Sequence, residues 1–102
     1  MEEIEINGLI FEWDDAKAAL NIEKHGISFY EAASVFFDKR GILLSDVEHS
    51  QDEDRFLLIG VTGERKLLTV VHVDRKDVLR IISARPAAPR ERRDYEQSGF
   101  RG

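Results

Sequence analysis

The chain has 102 residues, 42 % of them hydrophobic and none of them cysteine, which suits one compact domain held by packing and excludes disulfides and thiolate metal sites. Its formal net charge is -5, yet residues 1–54 carry four Lys/Arg against fourteen Asp/Glu while residues 55–102 carry eleven against six. The total argues against a polyanionic partner for the molecule as a whole. A ligand, however, meets a local field that decays within about 8–10 Å at physiological salt, so the basic half either meets phosphate or forms ordinary solvated faces.

No apolar run approaches the roughly 20 residues needed to cross a bilayer, and the Met1-Glu2-Glu3-Ile4 start is acidic where a signal peptide is basic, so the expectation is a cytoplasmic protein with no membrane association. In chain order, Ile4-Glu5-Ile6 and Leu9 to Trp13 read as strands joined by an Asn7-Gly8 turn. Asp14 is an N-cap for a helix over Asp15 to His25, with Ala16, Ala19, Leu20 and Ile22 near helical spacing and Gly26 as its stop. Ser28-Phe29-Tyr30-Glu31 fits a capping box, the carboxylate reaching back to the Ser28 amide, for a second helix to about Phe37 that buries Phe29, Ala32, Ala33, Phe36 and Phe37.

Four strand-length runs follow, Ile42 to Asp46, Phe56 to Val61, Leu67 to Val73 and Val78 to Ala84, the last three spaced as an antiparallel meander. Pro86 and Pro89 end the last of them, and Arg90 to Gln97 reads as a short charged helix before a tail, 97–102, that frays. The predicted fold class is α+β: a single domain, 1–102, with two N-terminal helices packed on one face of a four- or five-stranded, mainly antiparallel sheet and a short C-terminal helix. Strict alternation along the last strand sends Arg80, Ile82 and Ala84 one way and Leu79, Ile81, Ser83 and Arg85 the other, which leaves open which side faces solvent.

Three histidines, His25, His49 and His72, match no metal-ligand spacing, and the scattered glycines form no phosphate loop, so neither a metal nor a nucleotide cofactor is expected. Lys24-His25 at a helix end is either an ordinary favourable interaction with the helix dipole or a donor and a proton carrier projected together. His49-Ser50-Gln51-Asp52-Glu53-Asp54-Arg55 is either a solvated connector or a loop delivering imidazole, carboxylate and guanidinium. Arg80 to Ala87 is the clearest anion-recognition stretch, Arg85 standing at a strand end, with an ion pair to Glu91 as the structural alternative. His72 between valines reads more readily as a sheet residue, and Tyr95 as an anchor for the last helix.

These stretches together resemble the BrnT toxin family, the ribonuclease half of BrnT/BrnA toxin-antitoxin modules. The resemblance runs through Phe11-Glu12-Trp13-Asp14 with Lys17, Asn21 and Lys24-His25-Gly26, then Phe29, Ala32-Ala33 and Val35-Phe36. It continues through Asp46 with His49-Ser50, Glu53-Asp54-Arg55 and Ile59-Gly60, and ends on Arg80 to Arg85 with Ala87, Glu91 and Tyr95. It implies a RelE-like fold, metal-free RNA cleavage that arrests translation, and neutralisation by a BrnA-like antitoxin. That antitoxin's ribbon-helix-helix part would bind operator DNA in an autorepressing heterotetramer.

Lys24, His25, Arg55 and Arg85 fall on the family's motif positions. The expected roles are proton transfer by His25 or His49 with Glu53 assisting, and charge stabilisation by Lys24, Arg55 and Arg85, which must then converge on one phosphodiester. Arg75, Lys76, Arg80, Arg92 and Arg93 are expected along the RNA backbone, with Trp13 or Tyr95 stacking on a base. The competing expectation is a noncatalytic toxin-like module that acts only as antitoxin partner or co-repressor.

Overall fold

The structure, a computed structural model, describes residues 1–50 and 53–98. Strands β1 (Glu3–Ile6) and β2 (Leu9–Glu12) form a hairpin whose two turn residues, Asn7 at φ 47° and Gly8 at φ 91°, take the left-handed conformation that a tight hairpin turn requires. Helix α1 (Asp15–His25) begins where Asp14 Oδ1 accepts from the amides of Ala16 and Lys17, and ends at Gly26, φ 68°, whose amide donates to the Ile22 carbonyl. Helix α2 (Phe29–Ser34) is capped by Ser28 Oγ, which accepts from the Glu31 amide, but the Glu31 carboxylate does not reach back as a capping box would. It pairs instead with Lys66 at 3.0 Å.

After Ser34 the chain tightens into a 3-10 turn over Val35–Phe37. Three residues per turn in place of 3.6 rotate Val35 into the core and leave Phe37 exposed, so the predicted five-residue stripe holds through Phe36, half-buried against Phe11 and His72, and fails at Phe37. Strand β3 (Ile42–Ser45) and a 3-10 turn at Val47–His49 lead into β4 (Arg55–Val61), β5 (Leu67–Arg75) and β6 (Val78–Pro86), and helix α3 (Pro89–Ser98) closes the described chain. Gln97 and Ser98 are thus helical rather than frayed, and 99–102 lie outside the described residues. No helix among the described residues is long and apolar enough to cross a membrane.

The sheet has six strands, not four or five, in the order β1-β2-β6-β5-β4-β3. All neighbours are antiparallel except β2 and β6, which run parallel, Ile10 beside Val78 and Glu12 beside Arg80. The first hairpin therefore joins the sheet at its last strand, a pairing between distant stretches that no local pattern announces. β2 stops at Glu12, and beyond that point β6 borders α1 rather than a strand. There the buried Asn21 amide replaces strand partners: its Nδ2 donates to the Ala84 and Ile27 carbonyls, each at 2.9 Å, and its Oδ1 accepts from the Ala84 amide at 3.1 Å.

The core lies on the face covered by α1 and α2, built on Phe11, Trp13, Phe29, Ala32, Ala33, Val35, Leu68, Val70, Ile81 and Ala84. Ile81 and Ala84 both point into it because the register between β5 and β6 shifts at Val71/His72, an irregularity that places an extra residue in β6. Strict alternation along β6 is thereby broken, and Arg80 and Arg85, predicted on opposite sides, share the second face: Arg80 pairs with Val73, and Arg85 with Thr69. Helix α3 lies over one end of that second face, where Glu91 reaches Thr69.

Candidate active site

At the end of the second face away from α3, one row of the sheet brings Glu12, Arg80, Val73 and Arg55 side by side from four adjacent strands. Beside them Lys17 arrives from the first turn of α1, Arg75 from the end of β5 and His49 from the turn after β3. Lys17, His49, Glu53, Arg55, Val73, Arg75, Arg80 and Ile82 enclose an open pocket of about 360 Å³. The alternation of side chains along strands dictates most of this set, since Val73 and Arg75 lie two apart on β5 and pair with Arg80 and Val78 of β6.

His49 is held by its neighbours. Its Nδ1 lies 3.0 and 3.1 Å from the two carboxylate oxygens of Asp46, so with Nδ1 donating, Nε2 is left as the acceptor. Ser50 fixes the turn: its hydroxyl donates to the Asp46 carbonyl at 2.6 Å and accepts from the Arg55 amide at 2.9 Å. One serine thus ties the base of the His49 turn to the strand that carries Arg55. Gln51 and Asp52 of the same connector lie outside the described residues.

Two carboxylates face the pocket's four cations. Glu53 accepts a bidentate pair from Arg75, and that guanidinium holds the Glu53 carboxyl below the usual carboxylate range. Glu12 lies 3.5 Å from Arg80 and 3.9 Å from Arg75. Arg55 and Lys17 make no ion pair among the described residues. The pocket therefore keeps a surplus of positive charge, graded from the engaged Arg75 to Arg55 and Lys17, and it can accept an anion without first breaking every internal pair. Among the described residues no group of three His, Asp or Glu is placed to hold a metal ion.

The structure brings together five of the predicted residues, His49, Glu53, Arg55, Arg75 and Arg80, and leaves the others elsewhere. Lys24 and His25 are exposed at the far end of α1, about 10 Å along the helix axis from Lys17. Arg85 sits at the α3 end of the sheet in a bidentate pair with Glu91, 2.8 and 3.0 Å, so the convergence of Lys24, Arg55 and Arg85 is not what the fold produces. Trp13 is a core residue, 7 % exposed, packed edge-on against Phe29 and Tyr30. Lys76 occupies the β5–β6 turn at φ 55° and lines a shallow depression adjoining the pocket. Arg92 and Arg93 are exposed on α3, and the Tyr95 hydroxyl donates to Asp38 at 2.6 Å.

Glu91 itself is a hub. It accepts from Arg85, the Thr69 hydroxyl and the Ala88 amide, and these donors, Arg85 foremost, pull its carboxyl down to about 2. Burial would raise Asp38, but the Tyr95 hydroxyl and the amides of Val61 and Arg40 outweigh it and hold the carboxyl below its usual range. Burial and that same carboxylate push Tyr95 up to about 12. His72, buried on the core face between Phe36 and Phe56, has its imidazole pushed down by desolvation.

Sequence reasoning gave no site role to Lys17, Glu12, Asp46 or Ser50; Lys17 and Glu12 meet the pocket's arginines only once β2 has paired with β6. The Asp46-x-x-His49 spacing was the available signal, because side chains three apart in a single turn of helix meet on one side.

The sequence profile of the family described as "Ribonuclease toxin, BrnT, of type II toxin-antitoxin system" matches residues 13–91, which span the site from Lys17 to Arg80 and the Arg85–Glu91 pair beyond it. No curated protein matches the chain. With more than half of its length matched, and with the cationic pocket inside the matched span, the chain belongs to the BrnT family of ribonuclease toxins.

Proposed function

We propose that this chain is a metal-independent endoribonuclease whose chemistry takes place in the pocket between Lys17, His49, Arg55 and Arg80. The observation that carries the reading is the grouping of a carboxylate-oriented imidazole with unneutralised cations around one open cavity. In the proposed reaction the His49 Nε2 takes the proton of a ribose 2′-hydroxyl, and the 2′-oxygen attacks the adjacent phosphorus. The bond from phosphorus to the 5′-oxygen breaks, leaving a 2′,3′-cyclic phosphate, and the departing 5′-oxygen takes a proton from solvent in the open pocket. Asp46 holds the imidazole in the tautomer that accepts a proton and steadies the cation that forms. Arg55, Arg80 and Lys17 offset the charge that develops on the phosphorane oxygens.

Glu53 positions Arg75, and Arg75 with Lys76 extends a cationic track for flanking phosphates, whereas Arg92 and Arg93 lie on α3 at the other end of the sheet. Arg85 and Tyr95 hold α3 to the sheet, while Lys24 and His25 stand outside the chemical step. The family's type II classification supports a protein antitoxin as partner. We assign that role to a BrnA-like ribbon-helix-helix protein, which neutralises this chain in the cytoplasm and carries it to operator DNA in an autorepressing complex.

A noncatalytic reading draws on one observation, the engagement of Arg75 and Arg80 with the molecule's own Glu53 and Glu12. One assay separates the two readings. Antitoxin-free protein is incubated with RNA, with and without a chelator. The ribonuclease reading predicts cleavage that survives the chelator and leaves 5′-hydroxyl and cyclic-phosphate ends; inactivity of folded protein, or cleavage abolished by the chelator, contradicts it.

A further inference from the structure

The sheet ends in two free edges of opposite character. β1, at one edge, carries Glu3 and Glu5, and charges on an edge strand discourage pairing with another chain. β3, at the other, is Ile42-Leu43-Leu44-Ser45, with neither charge nor proline. Leu43 is 58 % exposed, Leu44 41 % and the following Val47 77 %, so this edge presents a continuous run of apolar surface. Among the described residues nothing pairs with β3 on its outer side.

The ladder fixes which backbone groups that edge offers. The Asp46 amide donates to the Arg55 carbonyl at 2.8 Å, and the alternation of an antiparallel pair then turns Leu44 toward β4 and the N–H and C=O groups of Leu43 and Ser45 outward. The charges that flank the strand are of opposite sign: Lys39 and Arg40 precede it, Asp46 and Glu48 follow it. A strand with a basic start and an acidic end is complementary to itself when reversed.

We propose that β3 is a docking edge for a second copy of this chain, added antiparallel about a two-fold axis through Leu44. Leu43 of each copy then faces Ser45 of the other, so both outward residues of both strands bond, and Leu44 meets Leu44 of the second copy in a pair without mutual backbone bonds, where side chains approach most closely. The basic turn that precedes the strand in each copy, Lys39-Arg40, then lies at the end of the new pairing where Asp46 and Glu48 follow the strand of the other. Leu44 shares its sheet face with Leu57 and Arg55, so the two pockets open on the same side of one continuous sheet. A four-residue edge is small beside the roughly 1,200 Å² of a stable interface, so the dimer is weak and forms in a concentration-dependent manner. Self-pairing needs neither RNA nor antitoxin, and it stands or falls apart from the nuclease reading.

The test is sedimentation equilibrium of the purified full chain, without antitoxin, from about 5 to 500 μM. The wild type is expected to pass from monomer to dimer across that range, Leu44→Asp to remain monomeric, and Glu5→Lys on the opposite edge to behave as wild type. Because the chain has no cysteine, Leu44→Cys supplies a second readout. Mild oxidation is expected to link Leu44→Cys into a dimer at least tenfold faster than Glu5→Cys. A wild type that stays monomeric, association that Leu44→Asp does not disturb, or equal linking of the two cysteine variants overturns the proposal.

Discussion

Arg80 and Arg85 leave the same strand on the same face of the sheet, yet their surroundings differ. Arg85 meets Glu91 in two short bonds, and Glu91 is further held by Thr69 and Ala88, so guanidinium and carboxylate form a closed clasp between β6 and α3. Arg80 meets Glu12 only at 3.5 Å and shares its surroundings with Lys17, Arg55 and Arg75 around an open pocket. The first arrangement binds the fold and leaves little for a ligand. The second holds cations together at a Coulombic cost that an incoming phosphodiester relieves, which is the electrostatic signature of a site rather than of a scaffold.

The largest effect is expected where the proposed chemistry is most direct. His49→Ala should lower RNA cleavage by about 10² to 10⁴-fold, with unchanged far-ultraviolet circular dichroism. Asp46→Asn should fall by a smaller factor, because the imidazole stays in place and loses only its orienting carboxylate; equal losses would remove the distinction between the two. Arg85→Ala tests the clasp. Its cleavage rate at a temperature well below melting should stay within about threefold of wild type, while stability drops by about 1–2 kcal/mol after allowance for solvent screening, a fall in Tm of about 4–8 °C for each kcal/mol.

The clasp also fixes a direction with pH. The folded Glu91 carboxyl, near 2, lies below its ordinary 4.5, so its contribution is complete above about pH 4.5 and is lost as pH falls toward 2. Glu91→Gln should flatten that acid limb in a denaturant titration. The smallest expected effect concerns His72. Its folded pKa is depressed by burial, so stability is complete above the ordinary 6.5 and declines as pH falls below it. His72→Phe should remove that decline while leaving cleavage unchanged.

Much of the local structure was legible because single residues enforce it. Asn7-Gly8, Asp14, Gly26 and Ser28 each act through a backbone conformation or one side-chain bond, and each stands where the sequence placed it. Helix α1 shows the limit of periodicity. Its apolar Leu20 and Ile22 are exposed, and its buried residue is the polar Asn21, which satisfies main-chain groups that β6 presents beyond the end of β2. Hydrophobic spacing cannot report a demand for hydrogen bonds that exists only after the sheet has formed.

The site was legible in part for a related reason. His49, Glu53 and Arg55 are close in sequence, so a loop and a strand start suffice to group them. Arg80 joins them through strand order, and Arg85 is kept apart by length: five residues of strand carry it about 17 Å along the sheet. The irregularity at Val71/His72 puts both arginines on one face, which strict alternation denies. Lys17 enters only because β2 pairs with β6 and thereby sets the start of α1 beside Arg80, a parallel pairing across most of the chain.

The most direct test of the division between pocket and clasp is the RNA-cleavage rate of Arg55→Ala beside that of Arg85→Ala, each measured with its thermal unfolding. The account predicts a loss of about 10² to 10³-fold with little change in Tm for Arg55→Ala, and the reverse pattern for Arg85→Ala. A folded Arg55→Ala that cleaves at the wild-type rate, with Arg85→Ala inactive below its melting temperature, would contradict it and place the chemistry at the other end of the sheet.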